Sequence, residues 1–349
     1  MHEQWKQFLI DAGAEFDDGT VAHFGNLRRE LSVAITGNVF ADLSHYGLIS
    51  VHGEDAAGFL QAQLSNDINA VNETHSQLNG YCNPKGRLLA TMRVFRRADS
   101  YYLCLPAVLV EPIMKRLQMY VLRAKVTLED ASDTFVHVGV SGSDVEQELG
   151  RVISSLPENV NDVTQTDETV KIRVPGIHPS FEVFTTTDHA RTLWNALNVR
   201  GAPVGKEAWT LLDILAGIPI ILPETSEAFV PQMVNLQLID AVSFKKGCYP
   251  GQEIVARMQY LGKLKRRMYG ARVDADERPA PGSEIFTGQA DSQPVGKVVL
   301  AASHPDGDYA LLVVIQISAA GGNLHLGSHH GPALTLTELP YPFPAEETG

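Results

Sequence analysis

The sequence predicts an α+β fold that ends in a small β-barrel, on three observations. Short strand patterns alternate with amphipathic helical patterns along most of the chain. No doubly wound strand–helix–strand pattern is present, so antiparallel sheets are expected. After Arg267 the helical periodicity stops, and the remaining segments are short strands broken by Gly, Pro and Asp. With 349 residues the chain is long for one domain, and 44% apolar residues suffice for a sizeable core.

Each element has its own signal. Trp5, Phe8, Leu9 and Ala12 recur at helix spacing. In "HGEDAAGFLQAQLSNDI" a turn precedes a helix that Asp55 can cap, with Phe59, Leu60 and Leu64 on its buried face. Leu88 to Phe95 and Tyr101 to Leu105 read as strands joined by a turn at Arg97 to Ser100. Val110, Ile113, Met114, Leu117 and Val121 mark the next helix. "TFVHVGVSG" reads as a strand, "DVEQELGRVISSL" as a helix, "NVNDVTQTDETVKI" as a polar loop, "FEVFTT" as a strand and "DHARTLWNALN" as a helix. The runs "MYGARV", "GSEIFTG", "PVGKVVLAAS", "YALLVVIQIS" and "ALTLTEL" supply the barrel. A domain boundary is expected near Gly262 to Lys265, giving a core of residues 1–262 and a barrel domain of residues 263–349, with "PYPFPAEETG" as a loosely held tail.

Composition excludes several functions. A net charge of −13 opposes non-specific coating of nucleic acid, although Lys263, Lys265, Arg266 and Arg267 make a local basic patch. Three cysteines, at 82, 104 and 248, are no disulfide framework and fit a reducing compartment. "MHEQWKQFLIDAGAEF" lacks the features of a signal peptide, and "LLDILAGIPIIL" is too short to span a bilayer, so a cytoplasmic protein without membrane contact is expected. "GAPVGKE" has the wrong spacing for a phosphate loop, and C-x-x-C and H-E-x-x-H are absent. Three scattered cysteines do not make a self-contained iron–sulfur site. His329 and His330 read as solvated surface residues.

The informative stretch is "SFKKGCYPGQEIVARM", Ser243 to Met258. Cys248 stands shortly before a helix start, with Lys245 and Lys246 beside it, and both features favour thiolate over thiol. The bland reading is a small apolar side chain packed in a turn. Gln252 and Glu253 either line a pocket rim or support the first helical turn, and Arg257 can pair with Glu253 at i, i+4.

"FKKGCYPGQE" resembles the K-G-C-Y-x-G-Q-E signature of YgfZ-type folate-binding proteins, bacterial relatives of a mitochondrial iron–sulfur assembly factor. "FADLSHYGLISVHGEDAAGFLQAQLSNDI" and "GYCNPKGRLLATMRVFR" resemble the wider glycine-cleavage T-protein family. The resemblance implies two interleaved ferredoxin-like α+β subdomains and a C-terminal β-barrel, three lobes around a central channel that holds tetrahydrofolate or a derivative. It implies folate contacts from Glu182 in "PSFEVF" and Asn235 in "PQMVNLQLIDAVSF", with Lys246, Tyr249, Gln252 and Glu253 of the signature at the same site, and Cys248 as the functional thiol. A solvated strand residue is the bland reading of Glu182, and a turn residue that of Asn235. The T-protein's aspartate pair aligns with Ala90 and Thr91, neither of which is a carboxylate.

Two functions follow. One is a folate-binding accessory factor for assembly or repair of iron–sulfur clusters, including those of tRNA-thiomethylating enzymes. Its partners would be iron–sulfur enzymes or assembly proteins, without direct nucleic-acid contact. The other is a folate-dependent aminomethyltransferase, supported by fold resemblance alone.

Overall fold

In the computed structural model, which describes residues 1–260, 262–289 and 293–344, two units interleave along the chain. The first comprises Met1–Ala56, Ala70–Ser76 and Val94–Asp213; the second comprises Ala57–Asn69, Gln77–Arg93 and Ile214–Gly349. The fold is mixed α+β with a closed six-stranded barrel, as the strand and helix patterns predict.

The first unit is built on a six-stranded sheet. Its spatial order is Val163–Gln165, Thr169–Val174, Ser180–Thr185, Val136–Ser141, Val39–Asp42 and Ala202–Val204. Every neighbour is antiparallel except the last pair. Side chains alternate between its faces with the period of two that a strand imposes. Val136, Val138, Val140, Phe181 and Val183 pack on one face against Trp5 and Leu9 of helix Glu3–Asp11 and Trp194 of helix Thr187–Leu197. Trp194 meets Phe40 edge-on, ring centroids 4.6 Å apart. Val170, Ile172, Val174 and Phe184 pack on the other face with Leu48, Phe95 and Cys104. A second ladder pairs Tyr46–His52 with Ser100–Pro106 and with Thr127–Asp130.

In the second unit the barrel runs Arg266–Val273, Tyr309–Gln316, Gly296–Ser303, Glu284–Thr287, Leu324–Leu326, Ala333–Thr337 and back to the first strand. Closure leaves no unpaired strand edge. Val298, Ala301, Leu311, Val313, Ile315 and Leu324 belong to its core. Asn235 ends the turn Pro231–Val234 in the left-handed region, at φ 61°. Its Nδ2 donates to Met268 O at 3.0 Å and to Tyr341 Oη at 3.3 Å.

The structure departs from the sequence reading in several places. The polar stretch read as a loop contains strand Val163–Gln165 and most of its partner Thr169–Val174, because cross-strand pairing holds them despite their Thr, Gln, Lys and Arg content. The helix expected through Leu156 covers only Val145–Gly150. Strands Val39–Asp42 and Tyr46–His52 were hidden by burial of both faces, which erases alternation. Asp55 receives Lys125 N at 2.8 Å instead of capping a helix. The basic patch loses Arg267, which is buried with its guanidinium 4.6 Å from the Phe343 ring. In the tail, Tyr341 Oη donates to Gly217 O at 2.9 Å, so this part is anchored, while residues 345–349 lie outside the described residues. Among the described residues no helix is long and apolar enough to cross a membrane.

Gly139 pairs with Glu182, and a Cβ at Gly139 would come within 2.4 Å of the Trp209 ring. Gly139→Ala is therefore expected to destabilise the protein by about 1–3 kcal/mol through overpacking, read as a lower urea midpoint with an unchanged slope.

Candidate functional site

Chemistry-bearing side chains gather in one place in each unit. In the second unit the site is the loop before helix Gln252–Tyr260. Gln252 N donates to Tyr249 O at 3.1 Å, Pro250 takes the first corner, and Gly251 takes the second at φ 81°. This is a type II turn, whose second corner favours glycine. Gly251 is required twice over. A Cβ on it would lie 2.5 Å from Asn83 O and from Gly86 Cα, so the helix start rests directly on the backbone of a second turn. That turn is tied by the Asn83 side chain, whose Oδ1 accepts from Lys85 N at 2.9 Å and Arg87 N at 3.0 Å. Gly247 differs, since a Cβ there would meet nothing within 4 Å.

Lys246 is buried, and its Nζ donates to Leu64 O at 2.6 Å and Asn66 O at 2.8 Å. The same ammonium lies 5.3 Å from the centre of the buried Tyr249 ring. Burial lowers the Lys246 ammonium to about 8, and burial raises the Tyr249 hydroxyl. Between these two anchors Cys248 is exposed. The sequence assigns Lys246 to the thiol as a source of charge, whereas the structure commits its ammonium to two carbonyls. Gln252 Nε2 reaches Lys246 O at 3.5 Å. Glu253 and Arg257 are both exposed and form no ion pair with each other. Asn235 is fully buried, and the neighbouring Gln232 donates from Nε2 to Val255 O at 2.6 Å, tying its turn to the helix. Thr91, where the sequence comparison sought a carboxylate, donates to Pro219 O at 3.0 Å and accepts from Ile221 N at 3.2 Å.

Glu182 belongs to the first unit. Its Oε2 lies 3.4 Å from His137 Nε2, with the carboxylate side chain 15% exposed. The two residues are diagonal neighbours, since His137 pairs with Phe184 and Gly139 with Glu182. Cys104 completes a group whose ligand-type atoms all lie within 4.8 Å of one another. Phe184 stacks on the His137 ring at 4.0 Å between centroids. Tyr46 Oη donates to Asp213 Oδ2 at 3.1 Å, and burial, then Asp213, Glu182 and Cys104, hold its hydroxyl well above the usual tyrosine range. Sequence reasoning singled out Glu182 but not Cys104, His137, Tyr46 or Asp213 as a group. These residues come from separate strands and a helix, and no spacing along the chain records that they meet. Cys82, the third cysteine, is buried, and its thiol is pushed up to about 12.

The GCVT N-terminal domain family matches residues 14–246. The chain is 29% identical over 308 residues to "tRNA-modifying protein YgfZ" of Colwellia psychrerythraea, covering 87% of this chain and 94% of that one. It is 30% identical over 301 residues to the protein of the same name from Yersinia pseudotuberculosis, covering 86% and 91%. The structure superposes on the crystal structure of glycine cleavage system aminomethyltransferase T from Bartonella henselae with a TM-score of 0.77 over 96% of each chain, at 17% identity.

Two expectations follow from the loop. Gly251→Ala should cost about 1–3 kcal/mol, because it forces an alanine to positive φ against a backbone, whereas Gly247→Ala should stay within about 0.5 kcal/mol of wild type. Urea unfolding of both variants checks the contrast. For Lys246, the folded ammonium titrates at about 8 and the unfolded one near 10.5. Between these values the unfolded chain keeps a proton that the folded chain has shed, so stability rises with pH. The stability of wild type relative to Lys246→Met should therefore increase as pH is raised through that window, measured by urea titration at stepped pH.

Proposed function

The chain belongs to the GCVT N-terminal domain family and, within it, to the YgfZ proteins, and on that premise we propose that it is a tetrahydrofolate-binding accessory protein for iron–sulfur enzymes that modify tRNA. The observation that carries this reading is the exposed Cys248 thiol on a loop fastened by its buried neighbours Lys246 and Tyr249. A thiol presented in this way is accessible to a partner protein, a cluster or a folate adduct. Glu182 suits the pterin edge: it is a mostly buried carboxylate, and a carboxylate accepts paired N–H donors. In the second unit Asn235 Oδ1 is buried without a hydrogen-bond partner among the described residues, which suits the polar contact to folate proposed for Asn235. A folate-binding core of residues 1–262, a barrel domain of residues 263–349 and a channel for tetrahydrofolate belong with this proposal. So do supporting roles for Lys246, Tyr249, Gln252 and Glu253, and a cytoplasmic location. The partners would be tRNA-modifying iron–sulfur enzymes or their assembly proteins, without direct contact to RNA.

The likeness to an aminomethyltransferase favours a second reading, transfer chemistry of that type. Thr91 weighs against it, since its hydroxyl is held by backbone groups and no carboxylate stands at position 90 or 91 to handle a proton.

The test is complementation in a strain lacking this protein, read as thiomethylated tRNA. Cys248→Ala should keep wild-type stability within about 0.5 kcal/mol, as exposed substitutions do, and fail to restore the modification. Full restoration by Cys248→Ala would remove the thiol from the function. In parallel, calorimetric titration with tetrahydrofolate should show saturable binding that Glu182→Ala weakens by about 1–3 kcal/mol.

A further inference from the structure

We propose that Cys104, His137 and Glu182 form a binding site for a borderline-soft divalent metal ion, of which zinc is the type. The argument begins with strand geometry. His137 and Glu182 project from the same face of adjacent antiparallel strands, the face that packs against Cys104 of strand Ser100–Pro106. Three residues remote in sequence thus direct a thiol, an imidazole and a carboxylate toward one point, with all ligand atoms within 4.8 Å. The His137 Nε2 to Glu182 Oε2 separation of 3.4 Å matches the edge of a tetrahedron with metal–ligand bonds of about 2.0–2.1 Å.

The donor set also discriminates. Sulfur and nitrogen ligands favour zinc and its neighbours, while magnesium and calcium prefer oxygen. One thiolate and one carboxylate neutralise a divalent cation, which suits a site where Cys104 and His137 are buried. On binding, the Cys104 S–H bond breaks, its proton leaves to solvent and the thiolate sulfur coordinates the metal, so affinity should rise with pH. Phe184, stacked on the imidazole, fixes the ring plane, and Tyr46, hydrogen-bonded to Asp213, stands at the periphery of the group. Three protein ligands leave a fourth position for water or another small donor, the pattern of an open site. The inference goes beyond the folate reading and does not depend on it. The two oxygens of a carboxylate offer lone pairs for both a metal and an N–H donor, so both readings can hold at Glu182.

The experiment is titration of cobalt(II), a spectroscopic stand-in for zinc, into chelator-treated full-length protein without folate. One equivalent should bind, with thiolate-to-cobalt charge-transfer absorption and the strong ligand-field bands of a four-coordinate ion. The absorption should survive in Cys248→Ser and in Cys82→Ser and vanish in Cys104→Ser. His137→Gln and Glu182→Gln should each weaken binding by at least about tenfold, as loss of one of three ligands requires. Absence of any thiolate band in wild type overturns the proposal. So does a band that disappears in Cys248→Ser and persists in Cys104→Ser. If Cys104→Ser does not fold, the His137→Gln variant decides, and unchanged affinity there overturns the proposal.

Discussion

Lys246 brings an ammonium to a place where the carbonyls of Leu64 and Asn66 stand in for water. A buried cation left unsatisfied would be costly, so the position of this nitrogen is dictated by those two oxygens. The rest of the loop follows from that anchor. Tyr249 lies under the same ammonium, Pro250 and Gly251 turn the chain, and the helix Gln252–Tyr260 starts against the backbone of the Asn83–Gly86 turn. Cys248 needs no interaction of its own to be positioned. Its flanks are buried and fixed, and its thiol stays in solvent. Placement is thereby separated from exposure: the loop is fixed by the neighbours of Cys248, and its thiol carries no structural duty of its own.

The first unit solves a related problem by strand alternation. Odd and even positions of strand Ser180–Thr185 serve different purposes, with Phe181 and Val183 in the hydrophobic core and Glu182 and Phe184 on the opposite face. Core packing fixes the strand, and the strand fixes the carboxylate. The diagonal meeting of His137 and Glu182 follows from the same register, because a shift of one residue would send both to the other face.

Much of this was legible in the sequence, for identifiable reasons. Five of the six barrel strands announce themselves through β-branched runs between turn residues, and the sixth, Leu324–Leu326, is three residues long and too short to carry a pattern. Helices Glu3–Asp11 and Thr187–Leu197 show clear apolar periodicity because each buries one face only. Strand Tyr46–His52, buried on both faces, offers no such signal. The Cys248 loop was visible as a dense local motif. The anchoring of its flanking lysine was not visible, because a chain of letters shows that Lys246 is basic but not that its ammonium is turned toward carbonyls some 180 residues earlier in the chain. The cluster of Cys104, His137 and Glu182 was invisible for the same reason, being the product of sheet register rather than of neighbouring letters.

The tie from Tyr341 to Gly217 and Asn235 bears on how the protein is made. The second unit draws on Ala57–Asn69 and Gln77–Arg93 but finds most of its partners only after Ile214, and the hydroxyl that meets Asn235 is supplied by residue 341. During synthesis on the ribosome those early segments emerge long before the chain that will cover them. The first unit is complete in sequence by Asp213. The early pieces of the second must therefore wait for the partners that lie beyond Ile214, so this unit closes only when the last strands of the barrel and Tyr341 have been made.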